Sequence, residues 1–172
     1  MMRTVENVTS IETAREQFND TGLTVVEGIY TPDLANQYAA EGFYKYFVRP
    51  TQLEGANGQI ARRNYTPLRG SALDTMVELI SSASDELNID TSSMGFRHNM
   101  FLAEIAADGH FRPGNSHGAL ALTALENRLL VIKGEEECHV IPGSVAFVRS
   151  DIDTSIEAET FSATALVFSE TA

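Results

Sequence analysis

A chain of 172 residues, 43% of them hydrophobic, can bury a core without disulfide or metal staples, and none of its apolar runs approaches the ~18 residues that cross a bilayer. Twenty-four acidic residues against twelve basic ones leave a net charge of −12, which argues against nucleic acid or any other partner recognised by neutralising phosphates. Cys138 is the only cysteine, which excludes an intramolecular disulfide and any thiolate-rich zinc or iron–sulfur site.

The opening MMRTVENVTS has neither the apolar core nor the basic lead-in of an export signal, so a cytoplasmic setting is expected. Thr9-Ser10-Ile11-Glu12 offers a capping-box start, and Ile11, Ala14 and Phe18 follow at helical spacing until Asn19-Asp20-Thr21-Gly22 ends the helix. Residues 23–29 form a β-branched, apolar run and predict a strand. Thr31-Pro32 starts a second helix, expected to run through Leu34, Tyr38, Phe43 and Phe47 until Arg49-Pro50 stops it. Residues 50–70 show no clear period and read as a long loop, a candidate lid carrying Arg62, Arg63 and Tyr65. A third helix is expected over 71–87, with Leu73, Met76, Val77, Ile80 and Leu87 along one stripe.

From Gly95 the character changes. Short apolar runs at 96–106, 118–126, 128–133, 137–141, 144–149 and 161–168 alternate with turn signals, the pattern of a sandwich, barrel or jelly roll. The GEEE at 134–137 reads as a solvated hairpin turn. Helices first and strands second give an α+β layout. Residues 1–172 are expected to form one domain, with 1–94 mostly helical and 95–172 a β-rich core.

Two stretches carry a family resemblance. FNDTGLTVVEGIYTPDLANQYAAEG resembles the N-terminal strand and helix of iron(II)/2-oxoglutarate-dependent oxygenases. GHFRPGNSHGALALTALENRLLVIKGEEECHVIPGSVAFVRSDIDTSIEAETFSATALVF is similar to their prolyl-hydroxylase-like branch, in the order and spacing of its turn, its LTA strand and its P-x-x-G-S step. The resemblance covers roughly residues 17–168 apart from the middle loop. It implies a double-stranded β-helix (jelly roll, cupin-like) with N-terminal buttressing helices.

The family's chemistry needs two imidazoles and one carboxylate on iron(II), with open positions for 2-oxoglutarate and oxygen. A basic residue then pairs with the far carboxylate of 2-oxoglutarate. Carried over, the first imidazole falls at His117, but the carboxylate position is Ala119. The second imidazole falls at 153–155, yet no His follows His139. The base of the last strand falls near Ser162, yet Arg149 is the last basic residue of the chain.

The residues themselves leave several sites open. His110 and His117 flank the turn Phe111-Arg112-Pro113-Gly114 and, with Asp108 or Glu104, can be read as a rearranged metal site or as locally bonded turn histidines. His139 adjoins Cys138, but neighbouring strand residues face opposite ways, so the two are not expected to share an ion. His98, just before an apolar run, reads as structural. Arg128 and Lys133 on a predicted central strand, and Arg149 further on, are candidates to hold an organic carboxylate; their other reading is a solvated face.

Three functions follow. In the first, the chain is oxygenase-like with a degenerate metal site, binding a small molecule in the barrel and using His117, His110 and Tyr65 for non-oxidative acid–base chemistry. A non-catalytic binding protein, a homodimer among its candidate assemblies, is the second. The third is a true Fe(II) and 2-oxoglutarate enzyme with a relocated triad of Asp108, His110 and His117.

Overall fold

The computed structural model describes residues 2–41, 44–54, 60–67, 70–89, 100–107, 110–111, 119–149, 154–158 and 161–168. A short β1 (Arg3–Thr4) leads to α1 (Ile11–Thr21) and β2 (Leu23–Val26), then α2 (Pro32–Glu41), β3 (Tyr44–Glu54), β4 (Ile60–Pro67) and α3 (Ser71–Glu86). Eight strands follow: β5 (Met100–Ile105), β6 (His110–Phe111), β7 (Ala119–Glu126), β8 (Leu129–Lys133), β9 (Glu136–Val140), β10 (Val145–Arg149), β11 (Thr154–Ala158) and β12 (Ala163–Phe168).

Capping chemistry sets α1. Ser10, in extended conformation, accepts a hydrogen bond from the Thr13 amide at 3.3 Å, so the cap is Ser10 and Glu12 lies in the first turn instead of closing a capping box. At the other end Gly22 adopts φ +74°, and its amide donates to the Phe18 carbonyl. Leu73, Met76, Val77 and Ile80 bury one stripe of α3, as their spacing predicts.

The twelve described strands make two sheets. The seven-stranded sheet runs β2-β10-β7-β12-β5-β4-β3 and the five-stranded sheet β1-β9-β8-β11-β6. The expected strands at 118–126, 128–133, 137–141, 144–149 and 161–168 are present with boundaries moved by a few residues. Gly134-Glu135 is the exposed turn of the β8–β9 hairpin, in which Lys133 pairs with Glu136. The architecture is that of a double-stranded β-helix with helices packed on one sheet.

Two expectations fail in the N-terminal half. The second helix ends at Glu41 instead of continuing to Phe47, and the stretch expected as a loop over 50–70 contains most of an antiparallel hairpin, β3 with β4. Tyr44, Tyr46, Phe47 and Val48 favour extended backbone, and Pro50, barred from a helix interior, is tolerated in an edge strand. For β4 the local signal is weak; its hydrogen bonds to β5 supply what the sequence pattern lacks. β11, whose Thr154, Ile156 and Ala158 are buried while Ser155 and Glu157 are half-buried, also went unread as a strand.

Two cores result. One lies between the helices and the outer face of the seven-stranded sheet, joining Tyr38, Met76 and Ile80 to Ala121, Phe147, Leu166 and Phe168. The other fills the space between the sheets with Leu122, Leu129, Val131, Val140, Val148, Ile156, Ala165 and their aliphatic neighbours. Strand alternation divides β2, β5, β7, β10 and β12 between the two cores: Phe147 faces the helices, whereas Ala146 and Val148 face the barrel interior. No described helix is long and apolar enough to cross a membrane.

Candidate anion site at one end of the barrel

Four strands bring their ends together at the mouth of the barrel. Ala119 opens β7 opposite Arg149, the last residue of β10. Thr154 opens β11 opposite Lys133, the last residue of β8. The α1–β2 junction meets them there, because the Arg149 amide donates to the Gly22 carbonyl at 2.8 Å. A Cβ added to Gly22 would lie 3.1 Å from both the Lys133 Nζ and an Arg149 Nη. Two cationic groups therefore converge on one glycine, and Gly22 suits both its left-handed turn and their approach.

Lys133 shares a face with Leu129 and Val131, so it belongs to the barrel interior; only 2% of its surface is exposed. Thr154 beside it is also buried. A lysine held there needs anionic or polar company, since burying an uncompensated ammonium is costly. Arg149 is half-buried, and its guanidinium lies 5.8 Å from the centre of the Phe18 ring, which limits its freedom to swing away.

The remaining candidates are spread out. Arg128 is exposed and precedes β8, so its reading as an inward-facing base is corrected: Lys133 is the base that turns inward. His110 is exposed on β6 and pairs with Glu157, which shares the outer face of the five-stranded sheet with Leu130 and His139. Its imidazole thus faces away from the barrel interior. Arg62, Arg63 and Tyr65 lie on β4, opposite Ile105, Glu104 and Leu102 of β5, so they belong to a strand and not to a loop over the mouth. His117, Asp108 and His98 lie outside the described residues.

Cys138 and His139 face opposite ways, as strand geometry requires. Cys138 is buried between the sheets, and burial, helped by the nearby Glu137 charge, pushes its thiol up to about 12, far from the thiolate that a metal or nucleophilic role needs. Among the described residues no three His, Cys, Asp or Glu side chains gather as a metal site. Among the described residues at the mouth none offers an iron ligand of the expected kind: Ala119 carries no ligand atom, β11 opens with Thr154, and β12 is uncharged throughout. Lys133 and Arg149 are cationic and Thr154 is neutral, a set that suits a negative charge better than a metal ion.

Sequence reasoning flagged Lys133 and Arg149 but not that they meet. Gly22 registered only as a helix stop, and Thr154 only as the wrong residue for an iron ligand. Nothing local signals their convergence, because Gly22 lies far from the others in the chain and Lys133, Arg149 and Thr154 sit on three different strands.

The geometry defines the double-stranded β-helix class, and solved structures of that fold sharpen the assignment. A 2OG-Fe(II) oxygenase family oxidoreductase from Burkholderia pseudomallei is similar at TM-score 0.65 and 9% identity, over 99% of this chain and 95% of that one. A Pseudomonas putida prolyl-4-hydroxylase is similar at TM-score 0.59 and 13% identity, over 91% and 96%. HygX from Streptomyces hygroscopicus, solved with nickel and 2-oxoglutarate bound, is similar at TM-score 0.60 and 11% identity, over 91% and 86%. The chain therefore has the fold of the 2-oxoglutarate/Fe(II) oxygenases. No protein-family model and no curated protein matches its sequence.

Proposed function

We propose that this protein is an oxygenase-fold protein with a degenerate metal site, which binds a small organic anion at the barrel mouth through Lys133 and Arg149. The observation that carries the reading is the convergence of a buried lysine and a half-buried arginine on Gly22. Among the described residues the interior beyond that point is lined by Leu, Val, Ile and Ala, which favours binding at the mouth over a deep reaction chamber. A dicarboxylate such as 2-oxoglutarate suits two cations held side by side, and HygX, of the same fold, was solved with that compound. Catalysis by His117 or Tyr65 without oxygen chemistry, and a relocated triad using Asp108, His110 and His117, are the competing readings.

Metal analysis of the purified protein, followed by titration of 2-oxoglutarate with and without Fe(II) under anaerobic conditions, separates them. The expected result is no stoichiometric iron, metal-independent binding, and affinity lowered at least about tenfold by Lys133→Met or Arg149→Met, the loss of roughly one charge-assisted hydrogen bond. Stoichiometric iron that disappears in His117→Ala would sink the proposal in favour of the relocated triad. Absence of any 2-oxoglutarate binding would sink the choice of ligand.

A further inference from the structure

Away from the barrel mouth, a hollow of about 280 Å³ opens where the start of α1, the turn after β2 and one stripe of α3 meet. Every residue that lines it is described. Ile11, Ile29 and Leu79 bring aliphatic side chains to it; Leu79 keeps 38% of its surface exposed and the two isoleucines are half-buried. The next α3 residues on that stripe, Ser82 and Ala83, are too small to fill the space between them. Backbone bonds brace the wall opposite α3: the Glu27 amide donates to the Val8 carbonyl at 2.8 Å, and the Ile29 amide to the Gly143 carbonyl at 3.0 Å. An apolar hollow already held open costs an incoming group little ordering of the protein.

The surroundings of the hollow are acidic. Glu27 and Glu86, both exposed, stand at its rim. Three carboxylates on α1 and four on α3 face a single base on those helices, Arg15. α3 also ends in Asp85 and Glu86 with no basic residue in its last turn, although the dipole at that end of a helix favours cations. Arg15 reaches the same end and donates to the Glu86 carbonyl, but the carboxylates remain in excess. Carboxylates and helix end therefore attract positive charge to the rim of an apolar hollow.

We infer that this hollow is a docking site for a short basic segment of another polypeptide. The segment seats one aliphatic side chain between Leu79 and the two isoleucines and sets Lys or Arg against Glu27 and Glu86. Burial of the aliphatic anchor supplies affinity, and the charged rim selects the partner and speeds its approach. A second copy of this chain is disfavoured, since two such faces brought together oppose carboxylate to carboxylate. The hollow lies at the opposite ends of α1 and β2 from Gly22, so the inference does not depend on the anion site at the mouth.

The test uses the full chain and three capped peptides about seven residues long: a central Leu between paired Lys residues, the same peptide with Ser for Leu, and one with Glu for Lys. The Lys–Leu peptide is expected to bind at least about tenfold more tightly than the Ser version, the worth of burying one aliphatic side chain. It should lead the Glu version by at least about tenfold as well, and this second gap shrinks as salt rises from about 0.05 to 0.5 M. On binding, NMR amide shifts move at 27–29 and 79–86. Leu79→Ser closes the gap between the Leu and Ser peptides, and Glu27→Lys narrows the gap between the Lys and Glu peptides. Both positions are exposed; should either variant fail to fold, the wild-type comparison decides alone. No binding of the Lys–Leu peptide up to about 1 mM overturns the inference, as does equal affinity within either peptide pair. It is equally overturned by shifts confined to other amides, or by a concentration-dependent dimer that moves those of 27–29 and 79–86.

Discussion

The two cores on either side of the seven-stranded sheet are filled by different residues. Among the residues whose side chains are described, Tyr30, Tyr38, Met76, Phe147 and Phe168 lie against the helices, whereas the cluster between the sheets is made of Leu, Val, Ile, Ala and Cys138. Facing sheets sit about 10 Å apart, which aliphatic side chains from both walls span without help. Helices on a sheet leave a wider and less regular gap, and larger side chains close it. The described part of the narrow gap is filled with aliphatic side chains, and the series Leu129–Val131 ends at the mouth in Lys133. The wider core carries the buttressing, and the narrow one holds the two sheets together.

Removing bulk from the wide core should have the largest effect. Phe147→Ala, at a fully buried position, is expected to cost about 3–5 kcal/mol in urea unfolding, and a loss below about 1 kcal/mol would show that the helices close over the gap. The narrow core should respond to added bulk. Ala165→Leu is expected to cost about 1–3 kcal/mol by forcing the sheets apart, whereas unchanged stability would reveal spare room in the barrel and reopen a deep pocket.

The smallest effect is confined to alkaline pH. Cys138 is raised from the ordinary thiol value of about 8.5 to about 12 in the folded state, chiefly by burial. The native protein therefore holds its proton where the unfolded chain has lost it, and stability falls as pH rises from about 9 toward 12. Tyr30 shifts in the same direction, again mainly through burial, so Cys138→Ala should flatten this decline without abolishing it. An unchanged pH profile in that variant would show that Cys138 is solvated between the sheets.

The Tyr30 hydroxyl shows how the two layers are tied. It donates to Thr123 Oγ1 at 2.5 Å, and Thr123 in turn donates to the Ser144 carbonyl at 2.6 Å, linking the start of α2 to β7 and the turn before β10. Tyr30 carries no sequence signature of this role, since the partners of its hydroxyl, Thr123 and the Ala124 carbonyl, are 93 and 94 positions away. The same holds for the candidate site. Lys133 and Arg149 were legible as bases on strands, but Arg128 looked equally suitable, and only the phase of β8 turns one inward and leaves the other in solvent.

The β3–β4 hairpin marks the opposite failure. Phe43 and Phe47 continue a helical spacing from Tyr38, yet the chain is extended from Tyr44, where β3 pairs with β4 and β4 in turn with β5. A strand whose hydrogen bonds all come from another part of the chain leaves little trace in its own periodicity.

By itself the sequence determined the β-rich second half, the caps and faces of α1 and α3, and the absence of an imidazole after His139 or a base after Arg149, because these depend on local spacing or plain residue identity. Tertiary structure alone decided which strands became edges, which base turned inward, and that Gly22, Lys133, Arg149 and Thr154 meet. Those outcomes depend on pairing between distant segments, and pairing is selected by the packing of the whole chain.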